Sequence, residues 1–477
     1  MKKLSFAKAS SMLFVICLAF AINLPAQTFT TLQNFPSSSP TAALIQGADG
    51  NFYSTLAGGQ IGFEGSVYKM TLTGAMTTLY NFCSGGGNCA DGYSPFAPLV
   101  LATNGDFYGT TQQGGTNGQG NVYKITAGGT ETSLYSFCTT DCSDGASPFG
   151  SLLQVGVGAI YGATTSTIFK ITLGGTLTTL YNFCPTSTSC NKSGAPYPSG
   201  LVLGQDGNFY GVTNAGGTNN VGTVFKLTPS GTLTTLHNFG SSDGANPIGP
   251  LVQGKGGYLY GVTFAGGSGT SSECPDIGSC GTIFKISPSG AFTTLHNFNG
   301  TDGANPYAGL VLATDGKFYG TTGFGGNLGG GIRAGTIFQF SLPGALSTLY
   351  SFCSQTFCLD GQNSRTPLMQ ATNGTFYGTT TFGGTQGNGV FFSLSMGLGP
   401  FVETIPTSGK VGSRVVILGN GLTGTTAVTF NGTTAAFSVV SDTEITATVP
   451  NGATTGKLRV TTPGGTLASN VSFRVTH

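Results

Sequence analysis

An apolar residue, a tyrosine and a small residue recur together seven times: Phe52-Tyr-Ser54, Phe107-Tyr-Gly109, Ile160-Tyr-Gly162, Phe209-Tyr-Gly211, Leu259-Tyr-Gly261, Phe318-Tyr-Gly320 and Phe376-Tyr-Gly378. Successive tyrosines are 55, 53, 49, 50, 59 and 58 residues apart. A period of that size means a repeat architecture, in which one supersecondary unit is copied and each copy buries its face against its neighbour. Each unit divides into four short strand-like runs, which around Tyr319 span residues 308–313, 317–322, 335–341 and 346–352. Asp-Gly or Asn-Gly joins the first two runs in five units, at Asp49, Asn104, Asp206, Asp315 and Asn373. Such dipeptides supply the positive φ of a tight hairpin turn. Runs three and four are joined by short Gly-ended turns such as Pro229-Ser-Gly231 and Pro288-Ser-Gly290. The other two connections are long and variable, so an antiparallel unit places both long loops at the end opposite its tight turns.

Four-stranded antiparallel units in tandem predict an all-β fold, a seven-bladed β-propeller. The ends predict how it closes. Phe29-Thr-Thr-Leu-Gln-Asn-Phe35 copies a fourth strand ahead of the first unit, while the last unit stops after Val390-Phe-Phe-Ser-Leu-Ser395, its third. The N-terminal strand is therefore expected to complete the last sheet and remove its open edge. An open solenoid would need polar capping repeats instead.

The first 26 residues read as a secretory signal peptide. Lys2, Lys3 and Lys8 precede an apolar run from Met12 to Ala21, and a small-residue cleavage site follows Ala26. The run is too short to span a membrane, and Cys17 lies inside it, which rules out a lipoprotein reading. Of 18 Lys plus Arg, export removes three and leaves 15 against 17 Asp plus Glu, about −2. So sparse a charge offers no basic patch for nucleic acid. Abundant aromatic, β-branched and Gly residues fit an all-β chain and not a disordered one.

Three phrases, Ser242-Asp-Gly-Ala-Asn-Pro247, Gly207-Asn-Phe-Tyr-Gly211 and Gly222-Thr-Val-Phe-Lys-Leu-Thr-Pro-Ser-Gly231, resemble the GloVer-type tandem repeat of bacterial secreted proteins. The resemblance spans about residues 28 to 396, all seven copies carry it, and it implies a bacterial cell-surface or secreted protein. Further on, Pro406-Thr-Ser-Gly-Lys-Val-Gly-Ser-Arg-Val-Val-Ile-Leu-Gly-Asn-Gly-Leu422 and Val428-Thr-Phe-Asn-Gly432 resemble an IPT/TIG domain, an Ig-like sandwich. The expected organisation is a signal peptide over 1–26, a seven-repeat propeller over 27–396, a linker over 397–402 and an IPT/TIG domain over 403–477, acting as spacer or interaction module.

The exported chain keeps ten cysteines in five close pairs: Cys83/Cys89, Cys138/Cys142, Cys184/Cys190, Cys274/Cys280 and Cys353/Cys358. An even count in an exported chain reads as disulfides, and local pairing is the simplest connectivity. A zinc site would use tighter Cys-x-x-Cys pairs with a nearby His. Each bridge closes a short loop and is expected to contribute roughly 2–2.5 kcal/mol. All five lie in long loops and therefore stiffen one face, where loops on a rigid scaffold would carry function.

Five of those loops also hold an aspartate, Asp91, Asp144, Asp243, Asp302 and Asp360. Each is a candidate acceptor for a sugar hydroxyl or cation, against the plainer reading of a turn-opening Asp bonded to its own backbone. Lys69, Lys124, Lys170, Lys226 and Lys285 share one third-strand position and are expected to protect sheet edges. His237 and His296 stand where other units have Tyr80, Tyr135, Tyr181 and Tyr350, so they read as packing residues and not catalytic bases. Acids outside the repeat pattern are Glu64, Glu131, Glu273, Glu403 and Glu444. No Gly-x-Ser-x-Gly elbow with triad partners appears, and the Gly-rich loops lack the Lys of a phosphate loop. We therefore expect a monomeric exported binding or adhesion module for a glycan or surface protein, without cofactor or catalysis. The alternatives are a propeller lyase or glycoside-active enzyme and a structural surface protein. An enzyme should gather non-repeat acids, His or Arg at the channel mouth.

Overall fold

The computed structural model describes residues 27–476 apart from 61–62, 86, 88, 185–196, 270–273, 275–277 and 327–333. The expected signal peptide, Cys190, Glu273 and His477 lie outside the described residues.

The recurring Phe-Tyr-Gly motif forms the second strand of each unit, and its two rings point to opposite faces of a sheet. Tyr53 stacks on Phe107 at 4.1 Å, Tyr161 meets Phe209 at 4.5 Å, Tyr260 meets Phe318 at 4.5 Å and Tyr319 meets Phe376 at 4.3 Å. Tyr377 of the last unit then meets Phe52 of the first at 4.5 Å. The tyrosine of one unit thus packs on the apolar residue of the next, and the series returns to its start. The motif's glycine has a separate cause. A Cβ on Gly211 would lie 2.6 Å from the tip of the Phe225 ring, which crosses it from the third strand.

Among the described residues, seven four-stranded antiparallel sheets follow one another, each pairing its strands in chain order except the last. The first comprises Ile45–Gln46, Phe52–Gln60, Phe63–Met70 and Met76–Asn81. The last comprises Met369–Gln370, Phe376–Thr379, Val390–Ser395 and, as its fourth strand, the N-terminal Thr28–Asn34. Thr28 pairs with Ser395 and Asn34 with Val390, the closure expected from the unmatched ends. Seven apolar clusters each bridge neighbouring sheets, and one of them joins Tyr377 and Phe391 to Phe52 and Tyr68. The repeats form a closed β-propeller.

Some details depart from expectation. Most inner strands hold two residues, as at Val311–Leu312, and not the six-residue run 308–313. Near the axis the backbones crowd: Gly249 has no room for a Cβ, which would lie 2.2 Å from the Gly309 nitrogen. In the Asp-Gly turns only the glycine is left-handed; Gly50 has φ 78°. Gly47 pairs with Asn51 across it, which makes a three-residue loop ending in a bulge glycine.

The lysines do not guard edges. They lie on third strands, which are paired on both sides, and each faces the motif tyrosine across the second strand, as Lys69 faces Tyr53. From there Lys69 reaches Asp49 at 3.6 Å, Lys124 reaches Asp106 at 3.8 Å and Lys226 reaches Asp206 at 3.6 Å. The same turn carboxylates accept from Tyr53 and Tyr210 hydroxyls at 2.9 and 2.7 Å. Where the turn lacks a suitable Asp, Lys285 sits over the Tyr258 ring at 4.9 Å.

Residues from 403 onward form a second sandwich. Glu403–Ile405, Arg414–Leu418, Glu444–Thr448 and Phe437–Val439 make one sheet. Ser408–Lys410, Gly465–Thr476, Gly456–Thr462, Ala427–Phe430 and Thr433–Thr434 make the other. Val415 and Ile417 point into its core, whereas Val416 and Leu418 point outward into the cluster between the first two propeller sheets. The domain therefore docks on the tight-turn face of the propeller. Thr443 Oγ1 donates to the Ala48 carbonyl at 2.6 Å, Asn420 Nδ2 to Thr372 Oγ1 at 2.6 Å, and the Phe401 amide to the Thr372 carbonyl at 3.0 Å. The expected linker over 397–402 is no free tether, since Leu398 packs on the propeller and Val402 lies in the sandwich core.

Candidate functional site

The long-loop face is built by one recurring bend. Ser94, Ser147, Tyr197, Asn246, Asn305 and Asn363 all adopt left-handed backbone, with φ between 45° and 58°. Two residues later the chain turns down towards the axis to begin an inner strand. The residues at that point are Phe96, Phe149, Ser199, Ile248, Tyr307 and Arg365, with Thr41 as the counterpart in the first sheet. All seven line one axial cavity of about 560 Å³. Six of the seven copies have Pro just before this position, whereas the position itself holds six residue types. It makes an asymmetric ring at the open mouth.

On one arc Phe96 and Phe149 lie 6.5 Å apart, and Phe149 is 41% exposed. On the opposite arc the Arg365 guanidinium lies over the Tyr307 ring at 4.7 Å and 6.0 Å from that of Phe382, itself exposed. Phe264 extends this arc, 4.6 Å from Tyr307. Asn363 Oδ1 accepts from Arg365 Nε and fixes the fork. Rings held over a guanidinium combine apolar area with a donor for acceptor-rich partners.

The floor of the cavity comes from the second domain: Glu403, Thr404, Ile405, Pro406, Thr407 and Asn470. Glu403 and Ile405 alternate with Thr404, so both face the propeller, where Ile405 joins the cluster between the first two sheets. The Glu403 side chain keeps some accessible surface although protein surrounds it, as expected for a residue facing an internal cavity. Burial pushes its carboxyl up to about 6. No side-chain partner holds it among the described residues.

The five loop aspartates do not converge on the cavity. Each closes its own loop. Asp91 accepts from the Tyr80 hydroxyl at 2.9 Å and the Cys83 amide at 2.8 Å, and Asp144 from Tyr135 at 2.7 Å and the Cys138 amide at 3.1 Å. Asp360, wholly buried, accepts from Tyr350 at 2.7 Å, the Ser354 amide at 2.8 Å and the Ser354 hydroxyl at 2.7 Å. His237 and His296 do for Asp243 and Asp302 what tyrosine does elsewhere, with Nε2 at 2.9 and 2.8 Å from the carboxylate. The Tyr/His interchange is therefore a shared donor position as well as a packing one, and His237 also stacks on Phe292 at 3.8 Å.

Disulfides join Cys83 to Cys89, Cys138 to Cys142, Cys274 to Cys280 and Cys353 to Cys358. All lie in connections at the long-loop end, beside the mouth. Of the non-repeat acids, Glu403 lines the cavity, and Glu444 lines a crevice between the domains with Arg414. Glu131 sits between the outer strands of the first two sheets, where burial and the nearby Asp91 push its carboxyl up to about 7. Among the described residues no group of three His, Cys, Asp or Glu could hold a metal ion.

Sequence reasoning singled out the long-loop face but not the ring. Its signal was present: three or two residues before the inner-strand Leu, and after a Pro in six of the seven copies, stand Thr41, Phe96, Phe149, Ser199, Ile248, Tyr307 and Arg365. A second missed signal is Gln46, Gln154, Gln253 and Gln370, in alternate sheets with a pair at the ring closure. Each Gln Oε1 accepts an amide from the neighbouring sheet's turn, as from Thr372 at 2.9 Å and Thr103 at 3.2 Å.

The fold is similar to that of a streptogramin B lyase, with a TM-score of 0.52 and 16% identity over 77% of this chain and 97% of that one. It is equally similar to a catalytically inactive virginiamycin B lyase from Staphylococcus aureus with quinupristin, at TM-score 0.51 and 16% identity over 78% and 99% of the two chains. No curated protein sequence matches the chain. The profile of the Gloeobacter/Verrucomicrobia repeat matches residues 17–167, 163–392 and 276–436, and that of the IPT/TIG domain matches 400–475. The chain belongs to the Gloeobacter/Verrucomicrobia repeat family and carries an IPT/TIG domain after its repeats.

Proposed function

We propose that the protein is an exported, non-enzymatic surface-binding module, monomeric, whose long-loop face grips a glycan or a surface protein. The observation that carries this reading is the mouth ring. One position of the repeat presents Phe96, Phe149, Ile248 and Tyr307 with a single guanidinium, Arg365, and disulfides staple the loops that carry Phe96, Phe149 and Arg365. Aromatic and Arg side chains are the usual anchors of a binding surface. Disulfides of this density accord with an oxidising compartment, and no helix among the described residues is long and apolar enough to cross a membrane. The lyase-like fold carries no activity with it, because a fold hosts many functions and chemistry resides in the site.

The test is a pull-down with the exported chain against a glycan array and against intact cell surfaces. A retained partner that is lost on Phe149→Ala with Tyr307→Ala, with unchanged thermal unfolding, supports the reading. Retention of the partner by the double variant, or a hydrolase or lyase activity that an Arg365→Ala change abolishes, overturns it.

A further inference from the structure

The axial cavity runs from the aromatic mouth to a floor supplied by the IPT/TIG domain, and two charged side chains line it, Arg365 at the rim and Glu403 at the bottom. Arg365 already has ring and amide partners. Glu403 has none among the described residues, although the strand that carries it pairs with Arg414–Leu418 and packs on the propeller through Ile405. A carboxylate partly withdrawn from water in a cavity, with no side-chain partner, is open to a ligand that supplies charge or donors. The walls between floor and rim are mainly apolar, with Ile45, Val100, Leu153, Val311 and Met369 partly exposed in the lining beside Gln46, Gln154 and Gln370. Some 560 Å³ suits a small organic molecule. An inorganic cation would need several converging oxygens, and Glu403 is the one carboxylate in the lining.

We propose that the channel is a binding site for an organic ammonium group on an elongated apolar body, with the charge seated at Glu403 and the body lying along the wall towards the rim. The assignment deepens the binding reading above and rests on it for the openness of the mouth. It also makes the IPT/TIG domain a functional part of the site and not only a spacer. The amine's N–H groups would meet the carboxylate as charge-assisted hydrogen bonds, the strong class. Neutral analogues of the same shape keep the wall contacts and lose the pair.

Calorimetric titration of the full exported chain with 2-phenylethylammonium and with its neutral isostere 2-phenylethanol tests this. The ammonium is expected to bind at least about tenfold more tightly than the alcohol. Glu403→Gln should erase that preference while leaving the unfolding temperature no lower. Equal or absent binding of the ammonium, or a preference that survives Glu403→Gln, overturns the proposal. The pull-down separates it from the parent reading. If the partner is still captured but no ammonium binds, only the ammonium site fails; if both fail, the binding reading fails with it.

Discussion

Replacing Glu131 by Leu should stabilise this protein, and do so more at high pH than at low. Glu131 pairs with Ile125 at the start of an outer strand. The register puts Met76, Leu177, Leu233, Phe292, Leu346 and Phe29 at the same place in the other six sheets. There the side chain packs on the outer-strand ring of the preceding sheet, as Phe292 does on His237 and Phe29 on Tyr350, each at 3.8 Å. Glu131 instead brings a carboxyl into that apolar layer beside Tyr80 and Asp91. Burial lifts it from 4.5 to about 7 against the lowering by the Ser133 hydroxyl, with a smaller upward push from Asp91. A lift of that size corresponds to about 3 kcal/mol against the charged form if fully enclosed. Glu131 is only half-buried, so solvent screening reduces the figure to about 1.5 kcal/mol. The native state holds this proton more tightly than the unfolded chain, so stability falls as pH rises from 4.5 to 7 and the penalty is complete above that. Leu removes the penalty and adds about 1 kcal/mol of apolar burial at any pH. Urea unfolding followed by tyrosine fluorescence, with disulfides intact, should show Glu131→Leu ahead of the natural chain by about 1 kcal/mol at pH 4 and about 2.5 kcal/mol at pH 8. An advantage that does not grow with pH refutes the electrostatic reasoning, and a less stable variant refutes the register argument as well.

Three further outcomes are expected. Gly211→Ala forces a Cβ to within 2.6 Å of the Phe225 ring and should cost about 1–3 kcal/mol in thermal or urea unfolding, partly recovered by Phe225→Leu. Removing residues 27–35 strips the last sheet of its fourth strand and bares the edge of Val390–Ser395, so light scattering should detect self-association that the full exported chain does not show. Glu403→Gln should raise stability by about 1–2 kcal/mol at pH 8 and leave it unchanged at pH 4, because burial lifts this carboxyl to about 6 and its penalty sets in as pH rises from 4.5 to 6. Equal shifts at both pH values would place the effect in packing and not in charge.

Much of the architecture was legible because repetition makes a pattern visible seven times over. The apolar-Tyr-small motif, the Asp-Gly turns and the unmatched end strands are local features whose consequences are local pairing, and pairing is what they predicted. The lysines were misread for lack of a neighbour. Lys69 looks like a solvent-facing charge until Asp49, twenty residues away in sequence, is placed 3.6 Å from it by the hairpin. The loop aspartates were legible as turn formers, but that His237 and Tyr80 serve as the same donor required the loop to be folded back on its own strand. The run Val415-Val-Ile-Leu418 carried an unused clue. An uninterrupted apolar strand implies burial on both faces, which is how this domain docks on the propeller.

The repeat unit, its strand order, the closure of the ring and the end of each sheet at which the long loops emerge can all be read along the chain. All of these follow from spacing, turn chemistry and alternation along the chain. Folding is what gathers seven separate residues, from Thr41 to Arg365, at one mouth and places Glu403 of another domain in its floor. Residues more than three hundred positions apart meet there because closing a ring brings every inner strand to one axis, and no local pattern encodes a distance across it.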